Sequence, residues 1–238
     1  MPNPLLYVST PDPAPLLTGS ELLVISSGGN AGRAFPIHRY ERSDETWAFA
    51  GWAMRRANWW TPRTRDDDAP EKQRLAHVGP SAWPGHARAW TEDDFWAPEL
   101  HRIRGRLLLF YSARRSDATR HGTLCIGVAV SKSGEAVGPF TDALGGEPLL
   151  CRPDGAIDPH VFLHGRGERK EPYLVWKDDA NARGRRTTIF LQRLRADGLG
   201  LVGEPRPLLT NEPDSWEGGL VEAPWLVLQL VESGRYAV

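Results

Sequence analysis

A motif that returns four times constrains this chain more than any other feature. In each copy a residue stands just before a proline, an apolar stretch follows, glycine marks a turn, and a second apolar stretch runs back. The first copy reads Asp12-Pro13-Ala14-Pro15-Leu16-Leu17, then Gly19, then Leu22-Leu23-Val24-Ile25-Ser26. The second reads Trp96-Ala97-Pro98-Glu99-Leu100-His101, then Gly105, then Leu107-Leu108-Leu109-Phe110-Tyr111-Ser112. The third reads Ile157-Asp158-Pro159-His160-Val161-Phe162, then Gly165 and Gly167, then Tyr173-Leu174-Val175-Trp176. The fourth opens with Val221-Glu222-Ala223-Pro224-Trp225-Leu226 and resumes at Gly234-Arg235-Tyr236-Ala237-Val238. The spacing between copies fits one four-stranded propeller blade each. The first interval is longer because the charged, turn-rich stretch from Thr61 to Asp94 lies in it. That stretch reads as a long connection or insertion.

Strand patterns carry the rest of the chain. Leu22 to Ser26, Leu107 to Ser112, Leu124 to Val130, Tyr173 to Trp176 and Thr188 to Leu194 are short apolar runs of strand-forming residues. Turn signals separate them, among them Ser27-Gly28-Gly29-Asn30, Asp154-Gly155 and Asp197-Gly198. The 24 Gly and 20 Pro punctuate the chain into such pieces, and no amphipathic helical period persists over three turns. The fold class is therefore all-β, and the repeat makes it a propeller.

In a propeller the innermost strand of each blade lines the axis, and the residue at its start faces the mouth of the central tunnel. That geometry gathers Asp12, Asp158 and Glu222 on one face. A single Asp-Pro pair is usually a turn starter. Three acids in register with a repeat have few structural uses, because clustered carboxylates cost free energy unless one is protonated or a cation develops beside them. Glycoside hydrolysis supplies that cation. One carboxylic acid protonates the departing oxygen and a carboxylate activates water or attacks directly. Negative charge nearby stabilises the oxocarbenium-like transition state more than the neutral ground state. A third carboxylate helps keep the donor protonated near neutral pH. The 10 Trp serve a core, and they also suit stacking on sugar rings.

These motifs resemble glycoside hydrolase family 43, whose members are five-bladed β-propellers. Asp12-Pro13 looks like the family's general base. Trp96-Ala97-Pro98-Glu99 with Leu109-Phe110-Tyr111-Ser112 looks like its second-blade signature. Ile157-Asp158-Pro159 with Tyr173-Leu174-Val175-Trp176-Lys177 looks like the strand carrying the orienting, pKa-modulating aspartate. Trp216-Glu217-Gly218 through Val221-Glu222-Ala223-Pro224 looks like the general-acid strand. The resemblance implies inverting hydrolysis of α-L-arabinofuranosides, arabinan or β-D-xylosides, with an arabinose- or xylose-containing carbohydrate as partner. Phe35 and Trp96 become candidates for sugar stacking, and Asn30, Lys177, Asp178 and Asn181 for substrate contacts. No cofactor is expected. The family often holds a structural calcium in its central channel, but its ligands are not identifiable in this sequence, and His101, His121 and His160 show no metal-ligand spacing. Sixteen residues follow Glu222, so residues 1–238 are expected to form a single propeller catalytic domain cut short at its C-terminus, with roughly three and a half to four blades.

Three rival readings follow from the same residues. A retaining, fructoside-active propeller shares the three acids, but Ile157 and Ala223 stand where its Arg and Cys would be. A non-catalytic sugar-binding or nonfunctional propeller fragment has the same acids without turnover. A protein-binding scaffold propeller lacks support, because no Gly-His and Trp-Asp repeat is present. The formal net charge of -1 gives no electrostatic case for nucleic acid or an anionic membrane. Without a basic-then-apolar leader the chain reads as cytoplasmic, and as secreted if its true start lies upstream. Cys125 and Cys151 read as two half-buried thiols, or as one bridge in an oxidising compartment.

Overall fold

The structure, a computed structural model, describes residues 9–30, 33–55, 90–115, 123–165, 170–227, 229–230 and 236–237. Three antiparallel sheets follow one another along the chain. The first holds β1 (Ala14–Thr18), β2 (Glu21–Ile25), the short β3 (Gly29–Asn30), β4 (Arg33–Glu41) and β5 (Thr46–Arg55). The second holds β6 (Thr91–Ile103), β7 (Arg106–Arg115) and β8 (Leu124–Ser131), with the short β9 (Phe140–Asp142) and β10 (Leu150–Cys151) both paired to β8. The third is a plain meander of β11 (Ile157–His164), β12 (Glu171–Lys177), β13 (Thr188–Leu194) and β14 (Leu201–Thr210). A two-residue hairpin, β15 (Gln229–Leu230) with β16 (Tyr236–Ala237), comes last. Among the described residues the only helical turn is Ala180–Arg183, and no helix is long and apolar enough to cross a membrane.

The sequence of β7 shows how the sheets become stacked blades. Every residue from Leu107 to Ala113 is buried. Side chains alternate across a strand, so Leu107, Leu109 and Tyr111 enter one core with Leu23, Ile25 and Phe35 of the first sheet and with Phe95 of β6. Leu108 and Phe110 enter a second core with Val161, Leu174 and Trp176 of the third sheet. A strand buried on both faces reads as a continuous apolar run, as this one does. Each fully buried Leu or Phe contributes roughly 1.5–3 kcal/mol over an exposed one. Truncating Phe110 to Ala therefore opens a hole between two blades at a cost of about 3–5 kcal/mol.

Where tertiary context overrides the sequence reading, the reasons are visible. Most of the expected insertion, residues 61–89, lies outside the described residues, but its last residues do not belong to it: β6 already begins at Thr91 and pairs with β7. Cys125 and Cys151 are not separate thiols. They face each other across β8 and β10 and are joined as a disulfide. The fourth copy of the repeat does not open with a strand. Residues 211–227 pair with no strand among the described residues.

Candidate active site

The residue before each repeat proline is bent into the left-handed backbone region: φ is 48° at Asp12, 44° at Ala97, 52° at Asp158 and 52° at Ala223. Non-glycine residues rarely go there, and the residue before a proline is normally extended. Such strain costs on the order of 1–3 kcal/mol per residue and collects at functional sites. Here it recurs at one position in all four copies of the repeat.

Three of these bends are held from the blade before them. The N–H of Ala97 donates to Ser27 Oγ at 2.6 Å, and the N–H of Asp158 donates to Ser112 Oγ at 3.0 Å. The N–H of Ala223 donates to Asp158 Oδ2 at 3.1 Å. At the first junction the chain of contacts extends one step further, because Ser27 Oγ donates to Asp12 Oδ2 at 2.5 Å. Asp12 and Glu222 are exposed, while Asp158 is half-buried between them.

Asp158 reports the electrostatics. Burial, first, raises its carboxyl above the ordinary 3.8; the Ala223 N–H and the Lys177 ammonium hold it back, while the charges of Glu222 and Asp12 push it up again. Residues 12 and 222, far apart in sequence, thus both lie near enough to Asp158 for their charges to act on it. Lys177 is fully buried beneath this cluster, and its Nζ donates to Asn181 Oδ1 at 2.8 Å.

Residues 1–229 match the sequence profile of the glycosyl hydrolases family 43. The chain belongs to that family. Among solved structures it is similar to a thermostable family-43 glycoside hydrolase, at 24% identity and a TM-score of 0.65, over 92% of this chain and 59% of that one. It is similar to a GH43_1 enzyme from Xanthomonas citri complexed with xylotriose, at 18% identity and TM-score 0.62, over 98% of this chain and 66% of that one. The endo-arabinase from Bacteroides thetaiotaomicron VPI-5482 gives 18% identity and TM-score 0.59, over 86% of this chain and 57% of that one. These likenesses place the blades in the family-43 propeller fold. The chain spans about three-fifths of the length of the first of these. No curated protein matches it.

The other family-43 candidates are distributed unevenly about the acids. Trp96, which precedes the bend at Ala97, is 38% exposed. Phe35 has no exposed surface; it packs edge-on against Phe95 at 5.7 Å and against Tyr111, inside the first core. Asp178 is spent on its own loop, where Oδ1 accepts from the N–H groups of Ala180 and Thr188. Asn181 is the partner of Lys177. The backbone of Asn30 pairs with Arg33 in β3, and its side chain lies outside the described residues.

A cluster that sequence reading missed sits one step below the acids. Glu99 and His160 each stand two residues beyond a pre-proline bend, and Trp225 occupies that position in the fourth copy. Glu99 joins two imidazoles, to His101 Nε2 at 2.6 Å and to His160 Nδ1 at 3.1 Å. Burial works to raise the Glu99 carboxyl, but hydrogen bonds and charge from His101 and His160 outweigh it, and the net direction is down. His160 goes on to donate Nε2–H to the Leu226 carbonyl at 3.2 Å and packs at a tilt against Trp225, ring centroids 4.6 Å apart. The signal in the sequence was the repeat register itself, read at the second position after the bend. Potential ligand atoms of Glu99, His101 and His160 lie within 4.8 Å of one another. This nitrogen-rich set does not suit the calcium that the family resemblance implies, since calcium takes six to eight oxygens.

Proposed function

We propose that the chain is an inverting glycoside hydrolase acting on α-L-arabinofuranosides, arabinan or β-D-xylosides, with Asp12 as general base and Glu222 as general acid. The observation that carries the reading is the place of Asp158, whose Oδ2 accepts the N–H of Ala223 beside Glu222 and whose carboxyl is raised in part by the charges of Glu222 and Asp12. Family membership supports glycosidic chemistry, and the similar structures include an arabinan-cleaving enzyme and one complexed with xylotriose.

Asp12 removes a proton from water as the water oxygen bonds to the anomeric carbon. The bond from that carbon to the leaving oxygen breaks in the same step, and Glu222 gives its proton to that oxygen. Water must fit between base and sugar, so a carboxyl separation of about 6.5–9.5 Å is expected. Asp158 orients the acid segment through the Ala223 N–H, the residue next to Glu222. Its negative charge favours the oxocarbenium-like transition state. Trp96 offers an apolar face to a sugar ring.

Hydrolysis of aryl α-L-arabinofuranoside and aryl β-D-xyloside by the wild type and by Glu222→Gln tests this assignment. Turnover of at least one substrate, lost in the variant, is the expected result, with NMR of the first-formed anomer showing inversion. Equal rates in both proteins defeat it. A second reading, a sugar-binding propeller without turnover, is favoured by one observation: Glu222 lies on an exposed segment outside any sheet. Saccharide binding without hydrolysis would select it.

A further inference from the structure

We infer that Ser27 is the positioning residue of the general base, and that it sets the base by the placement of the neighbouring blade. The inference rests on the hydrolase reading of Asp12. Ser27 is 5% exposed and lies two residues past the end of β2, beside the segment that carries Asp12. A serine hydroxyl has one proton to donate and lone pairs to accept with. Its Oγ accepts the N–H of Ala97, and the single proton goes to Asp12 Oδ2. The second carboxylate oxygen of Asp12 is left for water.

The backbone around the hydroxyl is fixed as firmly. Ser27 N–H donates to the Pro11 carbonyl at 2.9 Å, directly before Asp12, and Gly28 N–H donates to the Phe95 carbonyl at 3.1 Å, in the second blade. Ser27 is thus tied to the base on one side and to the next blade on the other. The terminal torsion of an aspartate is soft, so an exposed carboxylate needs an outside group to hold one orientation. The next junction lacks this feature: Ser112 Oγ receives the Asp158 N–H, and the acceptor at the third junction is the Asp158 carboxylate rather than a hydroxyl, with Lys177 paired to Ile157 just before it. Only at the first junction, among the described residues, does one hydroxyl join a site carboxylate to the following blade's bend.

The test is Ser27→Ala, with the near-isosteric Ser27→Cys as a second variant should the first fail to fold, each made alone and with Asp12→Asn. A charge-assisted hydrogen bond that orients the base predicts a fall in kcat of about ten- to a hundredfold, with KM within about twofold. In the Asp12→Asn background the same change is expected to cost nothing more. An equal loss in both backgrounds means that Ser27 acts independently of Asp12 and overturns the inference. A crystal structure of the variant supplies a readout that needs no turnover. The Asp12 carboxylate is expected to leave its wild-type orientation, and finding it unmoved overturns the inference. Should the wild type hydrolyse no glycoside while the variant's carboxylate swings away, the hydrolase reading fails and the positioning of Asp12 by Ser27 stands.

Discussion

Asp12 and Asp158 sit where strands begin, whereas Glu222 sits on a segment with no strand at all. The first two inherit their places from sheets packed through β7, whose two faces fill both cores. The segment from 211 to 227 is held by side chains of the third blade. Thr187 Oγ1 accepts from the Val221 N–H at 2.9 Å and donates to the Val221 carbonyl, Asn211 Nδ2 donates to the Gly218 carbonyl at 2.8 Å, and Asp158 and His160 grip Ala223 and Leu226. Trp216 on this segment is 93% exposed. Stability differs within a protein according to such attachments. The same machinery therefore combines acids fixed by the fold with an acid fixed by a handful of hydrogen bonds.

Removing the acid's proton gives the largest expected effect. Glu222→Gln should lower kcat by about a thousandfold, within the range for general acid catalysis, while thermal unfolding stays where it was because no packed group is lost. A large fall in Tm would show that Glu222 holds structure and would erase the contrast. Thr187→Val keeps the shape and removes both bonds to Val221. Activity should fall about tenfold, a bond's worth, and amide exchange should accelerate across 218–227 but not in β7. Uniform exchange throughout would mean that segment and blades open together.

A smaller, pH-dependent effect belongs to Asp158. Its carboxyl is raised by burial first, so the folded protein binds that proton more tightly than the unfolded chain does. The stabilisation is complete below the ordinary value of 3.8 and is lost as pH rises through the folded value. Asp158→Asn, which can still accept from Ala223, should therefore raise Tm slightly at pH 7. The gain should shrink on acidification and vanish below 3.8. A Tm difference independent of pH would assign the stabilisation to something other than this charge.

The two regions also differ in how far they could be read from sequence. The strand at Thr188–Leu194 was legible to the residue, and the strands around Leu22, Leu107, Leu124 and Tyr173 to within a few positions, because each is a dense apolar run. β14 was hidden by Pro205 and Pro207, residues that suit an edge strand, which is its place in the sheet. β5 was hidden by Ala and Gly51 among its aromatics. Of the site, the repeat marked the bends before proline at Asp12, Ala97, Asp158 and Ala223, because each is a local signal. Phe35, a candidate for sugar stacking, precedes a proline and bends to φ 62°, yet its ring turns into the core, which no local signal foretold. Ser27 gives no local signal, since it binds Asp12 across its own hairpin and Ala97 in the next blade, and the Glu99–His160 pair shows only in the repeat register, because the two residues come from different blades.

A crystal structure of Glu222→Gln with a xylo- or arabino-oligosaccharide tests the central claim, that acids from separate blades enclose one sugar unit. The account predicts the glycosidic oxygen beside the residue 222 amide and Asp12 on the opposite face of the same ring, with room for one water between. A saccharide bound away from residues 12, 158 and 222, or none bound at saturating concentration, contradicts it.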